Sequence, residues 1–283
     1  MPPCSEEHAL YLKKLRRKKH FVHFMQFAIL IVFIAVWELL GRLGVIKTFI
    51  FSSPSRVAAT VARLYSNGEL FMHIGITTLE TVAGFLIGTL IGTLIAVLLW
   101  WSPTLSRILD PYMVVLNALP KIALGPIIIV WVGAGMKAII LMALLISTIV
   151  TIMTVLSGFN EISGENQLLM RTLGANKLQT FFKVVLPASV PTVMSALKLS
   201  VGMSWVGVIV GEYLVSKAGL GYLIVYGGQV FKLDLVMAAI AILCVLAALM
   251  YYAVAILERI ISKRIGRFCR SRHIPYEKQG KNC

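Results

Sequence analysis

Six ionisable side chains fall inside or at the ends of long apolar stretches: Glu38, Glu80, Asp110, Lys121, Glu212 and Asp234. A charge in such a stretch is costly, so each is a candidate for contact with something that passes between the helices. Most lie near a stretch end, where reaching the membrane interface explains them. Asp110 can simply start a helix before Pro111. Glu80 lies about two helical turns inside its stretch and is the strongest candidate for an inward-facing charge. Glu212 closes another stretch, where it can line a gate or pair with Lys217. Thr93, Asn117 and Ser204 are uncharged candidates for the same path. Bond-breaking chemistry has no signature in the chain. There is no Gly-x-Ser-x-Gly, no His pair at ligand spacing and no Gly-x-x-x-x-Gly-Lys-Ser/Thr. Catalytic, metal and cofactor residues are therefore not expected, and ATP hydrolysis by a P-loop would fall to another chain. Cys4, Cys244, Cys269 and Cys283 are scattered, without metal or disulfide spacing.

These residues sit in a chain of 283 residues that is 58% hydrophobic and only 14% charged, with mean hydropathy +0.86. A soluble domain carries about a quarter charged residues, so the composition describes an all-α integral membrane protein. Six spans are expected, at 21–40, 74–100, 110–132, 136–157, 191–213 and 235–261. The first follows a basic stretch, as in a signal peptide, but it exceeds the usual apolar core and no small-x-small site follows. Ser53-Pro54-Ser55 starts a short amphipathic helix, predicted to lie at the interface. Gly84, Gly88 and Gly92 are spaced for close helix approach. Thr104 to Arg107 is expected as a turn. Pro111, Pro120 and Pro126 must bend or break the third span, which needs cover from protein or a water-filled cavity. Ser200, Ser204, Gly207 and Gly211 share one helical face, either a tight contact or a pore lining. Gly219, Gly221, Gly227 and Gly228 make 214–233 turn-rich and able to re-enter the membrane.

The net charge is +15, and its placement excludes nucleic acid as the reason. Lys13, Lys14, Arg16, Arg17, Lys18 and Lys19 precede the first span, and Arg259, Lys263, Arg264, Arg267, Arg270 and Arg272 follow the last. Such clusters anchor spans beside anionic lipid on the cytoplasmic side. Residues 1–20 and 263–283 thus read as cytoplasmic basic tails around a transmembrane domain at 21–262.

The longest polar interruption, 158–189, lies between spans four and five on that same side. A simple connection needs only a few residues. Glu161 to Leu173 is predicted helical, Gly174 breaks it, Asn176 to Val185 is a second helix, and Pro187 stops that one. Leu169, Leu173, Phe181, Phe182 and Val185 are too apolar for a free loop. They either press into a groove on a soluble partner or rest on the membrane or the bundle.

Residues 168–187, LLMRTLGANKLQTFFKVVLP, resemble the cytoplasmic "EAA" loop of ABC importer permeases. That pattern is Glu-Ala-Ala, three residues, Gly, nine residues, an aliphatic, any residue, then Leu-Pro. Gly174, Val184, Leu186 and Pro187 fall on it, whereas Leu168, Leu169 and Met170 stand in place of Glu-Ala-Ala. The flanking MRTLGAN and VVLPASVPT are most similar to the nitrate/sulfonate/taurine branch, and the resemblance runs over about 37–259. It implies a permease subunit in a bacterial inner membrane, multi-pass with both termini cytoplasmic. It implies a second permease copy, cytoplasmic ATPase subunits that bind the ATP, and an extracytoplasmic substrate-binding protein. Leu168, Leu169, Leu173, Gly174, Phe181, Leu186 and Pro187 would couple to the ATPase. Glu80, Thr93, Asn117, Ser204 and Glu212 would lie along the path of a small solute: a sulfonate, nitrate or taurine-like anion, or a vitamin precursor. The alternative is a secondary transporter or channel working without an ATPase.

Overall fold

The computed structural model describes residues 6–162 and 164–271. Cys4, Arg272 and Cys283 of the expected tails lie outside them. Twelve α-helices follow in order: α1 (Glu6–Arg42), α2 (Thr48–Phe51), α3 (Pro54–Ser66), α4 (Glu69–Trp101), α5 (Pro103–Ala118), α6 (Gly125–Val132), α7 (Met136–Asn160), α8 (Gly164–Thr172), α9 (Lys177–Thr180), α10 (Leu186–Val215), α11 (Leu220–Gln229) and α12 (Leu233–Ser271). Among the described residues five helical stretches are long and apolar enough to cross a membrane, or six if a bent pair forms one span.

The bent pair is α5 and α6, which turn by 87°. The break falls at Leu119-Pro120 and not at Pro111, which lies inside α5. Leu119 is extended, as expected of a residue before proline. The freed carbonyl of Asn117 accepts a hydrogen bond from Lys121 Nζ at 2.9 Å, so the break carries its own polar partner. The expected turn at Thr104 to Arg107 is helical instead. Ser102 alone separates α4 from α5, its Oγ accepting the Leu105 N–H at 3.4 Å, with Pro103 in the first turn where no donor is needed.

Helix α7 is the centre of the bundle, with α4 parallel to it and α10 antiparallel. Small residues on both neighbours allow this. A Cβ at Gly84 would stand 2.7 Å from Ala143 Cβ, and one at Gly92 2.8 Å from Thr151 Cβ. On the other side, a Cβ at Gly207 would stand 2.5 Å from Ala143 Cα, and one at Gly211 2.9 Å from Ile139 Cα. Thr151 and Ser200 hydroxyls meet at 2.5 Å across the α7–α10 seam. The Ser200–Gly211 face is therefore a tight contact, and both glycine stripes press on one helix.

Two features near α1 differ from the expectation. Helix α3, expected at the interface, packs against α12: Thr60 and Leu64 are buried, and Arg56 pairs with Asp234 at 2.9 Å. Asp234 also accepts from Ser52 Oγ at 2.7 Å. Glu38 accepts from Arg42 at 2.8 Å and from the Ser55 N–H at 3.0 Å, so it ties α1 to the start of α3. Both carboxylates hold elements together.

Candidate functional site

Two sites stand at opposite ends of the bundle. At the Glu69 end, Glu80 and Glu212 are 2% and 1% exposed and meet side chain to side chain. Sequence separates them by more than a hundred residues; α4 and α10 bring them together. Thr77, one turn before Thr81 and Glu80 on α4, donates from Oγ1 to Glu212 Oε1 at 2.6 Å. Glu212 Oε2 accepts the Gly221 N–H at 2.5 Å, and Thr77 Oγ1 accepts the Leu220 N–H at 2.8 Å. His73 Nδ1 accepts the Gly219 N–H at 2.9 Å. Three consecutive amides at the start of α11 thus find acceptors on α4 and α10. A helix N-terminus leaves such amides unpaired and carries partial positive charge, which suits it to a carboxyl group.

The glycines make room for this clasp. Gly219 has φ +111°, which side-chain-bearing residues avoid, and a Cβ there would stand 2.5 Å from Glu212 Cδ. A Cβ at Gly221 would stand 2.7 Å from Glu212 Oε2. Glu212 therefore turns inward to the α11 turn and not to Lys217. The sequence carried a signal for this arrangement: a Gly-Leu-Gly turn opening an apolar helix needs an acceptor, and Glu212 stands just before it.

The other path candidates are not gathered around this pair. Ser204 is buried on α10, its hydroxyl without a hydrogen-bond partner among the described residues. Thr93 is half-buried on α4, and the Asn117 side chain is exposed on α5 just before the break.

The second site is at the Trp101 end. Helix α8 stops at Gly174, whose φ of +75° permits the reversal. Gly174 N–H bonds Arg171 O at 3.0 Å and Ala175 N–H bonds Met170 O at 2.9 Å, the paired closure of a Schellman motif. Asn176 and Gln179 then form a reciprocal capping box that opens α9. Pro187 does not end this segment. Residues 181–185 widen into a π turn, Leu186 N–H reaches Phe181 O, and Pro187 sits in the first turn of α10, where it forfeits no needed donor. From Lys177 to Val215 the chain is continuously helical.

This geometry sorts the apolar loop residues into two sets. Phe181 and Val185 are buried in the bundle with Trp100, Val155 and Phe159; the Phe181 ring centroid is 5.0 Å from Trp100 and 5.6 Å from Phe159. Leu186 is half-buried against the same cluster. Phe181 and Val185 thus fasten the loop to its own chain and are not free to enter a partner's groove. Leu168, Leu169 and Leu173 are 61%, 58% and 73% exposed, and Phe182 is exposed with them.

Residues 88–267 match the family model described as "binding-protein-dependent transport system inner membrane component", a span from the middle of α4 through α12 that includes both sites' α10 and loop residues. A "probable ABC transporter permease protein" of Haemophilus influenzae is 32% identical over 224 residues, 79% of this chain and 90% of that one. The "putative aliphatic sulfonates transport permease protein SsuC" of Bacillus subtilis is 30% identical over 232 residues, covering 82% and 84%. Among solved structures, a chain of the MetNI methionine ABC transporter in an inward-facing form superposes with TM-score 0.61 at 21% identity, over 68% of this chain and 95% of that one. That likeness shows a shared fold. With its several apolar helices, its fold and these matches, this chain is a multi-pass membrane protein that belongs to the binding-protein-dependent transport system inner membrane components, the permease subunits of ABC importers.

Proposed function

We propose that the chain forms the translocation path of an ATP-driven importer for a small sulfonate-like anion, and that α8 with its Gly174 hinge passes the motion of cytoplasmic ATPase subunits to the bundle. The observation that carries this is the exposure of Leu168, Leu169 and Leu173 on and just after the short helix α8, which leads through α9 into Phe181 and Val185, packed against the ends of α4 and α7. Exposed leucines on a rigid helix fit a groove on a soluble partner. They stand where the family pattern places Glu-Ala-Ala and just after it, so docking here is apolar in place of the charged contact. The positive-inside rule supports a cytoplasmic loop and cytoplasmic termini. Two copies of the chain would enclose the path, with an extracytoplasmic binding protein delivering the solute. Asn117 and Thr93 are assigned to the path, whereas Glu80 and Glu212 hold α11 at its far end. The sulfonate class rests on the Bacillus relative's name.

The test is retention of an ATPase subunit by tagged protein extracted in mild detergent. Gly174→Pro cannot adopt φ +75° and removes the N–H that bonds Arg171 O, so it is expected to lose the ATPase. Gly174→Asn tolerates the left-handed conformation and is expected to retain it. A well-folded wild type that keeps no ATPase, and transports without one, would overturn this reading in favour of a secondary transporter.

A further inference from the structure

Beside the loop, the end of α4, the start of α5, the end of α7 and the α8–α9 turn enclose a cleft of about 440 Å³. Its wall carries three cations, Arg107, Arg171 and Lys177, together with Trp100, Asn160 and Thr180. No carboxylate lines it. The ion pairs among the described residues are Arg42–Glu38, Arg56–Asp234 and Lys198–Glu258, so none of the three cations is paired with a carboxylate there. Asp110 lines the adjoining groove, and Glu161 accepts from Thr192 at 3.4 Å. Lys177 is fixed in place. Its Nζ donates to the Trp101 carbonyl and lies 5.7 Å and 5.5 Å from the Trp100 and Trp101 ring centroids. Three cations on one cleft wall with no carboxylate among the lining residues give it a positive potential that an anion would neutralise.

We infer that this cleft binds a tetrahedral oxyanion, and that its source is the phosphate of an anionic phospholipid. Two observations favour a lipid over a free ion. Trp101, exposed at the end of a spanning helix, marks headgroup depth, which puts the cations level with lipid phosphates. Beyond the Pro103–Arg107 rim, α5 exposes Leu105 and Ile108, apolar surface that an acyl chain can cover. A lipid seated here would bridge α5, α7 and α8, and so stiffen the connection between the loop and the bundle.

Native mass spectrometry of the full chain in neutral detergent tests this by titration with dioleoylphosphatidylglycerol and, separately, dioleoylphosphatidylcholine. Phosphatidylglycerol is expected to bind about tenfold tighter. In the Arg107→Gln/Arg171→Gln double variant that preference is expected to vanish, with phosphatidylcholine binding unchanged as the sign of an intact fold. Arg107→Lys/Arg171→Lys is expected to restore most of it. A double variant that keeps the wild-type preference would overturn the proposal. So would protection by inorganic phosphate with no preference between the two lipids, which would assign the cleft to a soluble oxyanion. Loss of ATPase retention in the double variant with lipid preference unchanged would give it instead to an acidic segment of the ATPase.

Discussion

Transport by Glu212→Leu is expected to fall at least about tenfold, with the protein still present in the membrane. The reason is local. Leucine fills a similar volume but accepts no hydrogen bond, so the Gly221 N–H and the Thr77 hydroxyl both lose their acceptor in a site closed to water. Each buried orphan costs about 1–3 kcal/mol, which is enough to release the first turn of α11 from α4 and α10. Glu212→Gln is expected to be intermediate. One amide oxygen can satisfy Thr77 or Gly221, while the NH2 group then faces a donor. Glu80→Gln is expected to stay within about twofold of wild type, because glutamine keeps a donor toward Glu212 and the Glu80 Oε2 atom has no partner to lose. Uptake of a labelled sulfonate into proteoliposomes with the ATPase and the binding protein gives the rates. Amide exchange at residues 219–221 reports the clasp itself, and should accelerate most in Glu212→Leu, less in Glu212→Gln and not in Glu80→Gln. Wild-type uptake by Glu212→Leu would refute the view that this carboxyl holds the helix in its working position.

How far this site can be read from sequence depends on the distance over which its residues act. Gly174 and the capping box of Asn176 act within a few residues, and their types alone predict a break followed by a new helix. The proline-broken third span is legible for the same reason, although which proline breaks it is not: Pro111 is accommodated within α5 while Pro120 bends the chain. Pro187 reads as a stop and behaves as a start, because the π turn before it absorbs the missing donor. Phe181 and Phe182 are neighbours of the same type, yet only Phe181 faces Trp100 and Phe159, and nothing in the pair itself says which. Glu80 and Glu212 stand out singly as charges among apolar residues. Their meeting, and the capture of α11 by Thr77 and His73, are products of the α4–α7–α10 packing. The basic cleft is illegible for the same reason, since Arg107, Arg171 and Lys177 come from three separate segments.

That packing is itself the most sensitive part of the molecule, and Gly207 is where it is tightest. Any side chain at 207 begins with a Cβ 2.5 Å from Ala143 Cα and 3.1 Å from Ala143 N. Both are main-chain atoms of α7, so no rotamer change relieves the clash. Nor can α7 retreat, because Gly84 on α4 already presses Ala143 from the opposite side. The helices must separate along the seam that also holds the Thr151–Ser200 contact. Overpacking of this kind costs about 1–3 kcal/mol for small insertions and more for large ones. Gly207→Ala is therefore expected to lower the Tm in detergent by several degrees, and Gly207→Leu to leave no folded protein. Gly202 on the same helix supplies the control. Nothing lies within 4 Å of a Cβ there, so Gly202→Ala is expected to be neutral or slightly stabilising through helix propensity. Fluorescence-detected size-exclusion chromatography across a temperature series would measure all three. A Gly207→Leu variant that folds and melts like wild type would show that α7 and α10 do not meet as closely as this geometry requires. The clasp on Glu212, one turn further along α10, would then lose the frame that aims it at α11.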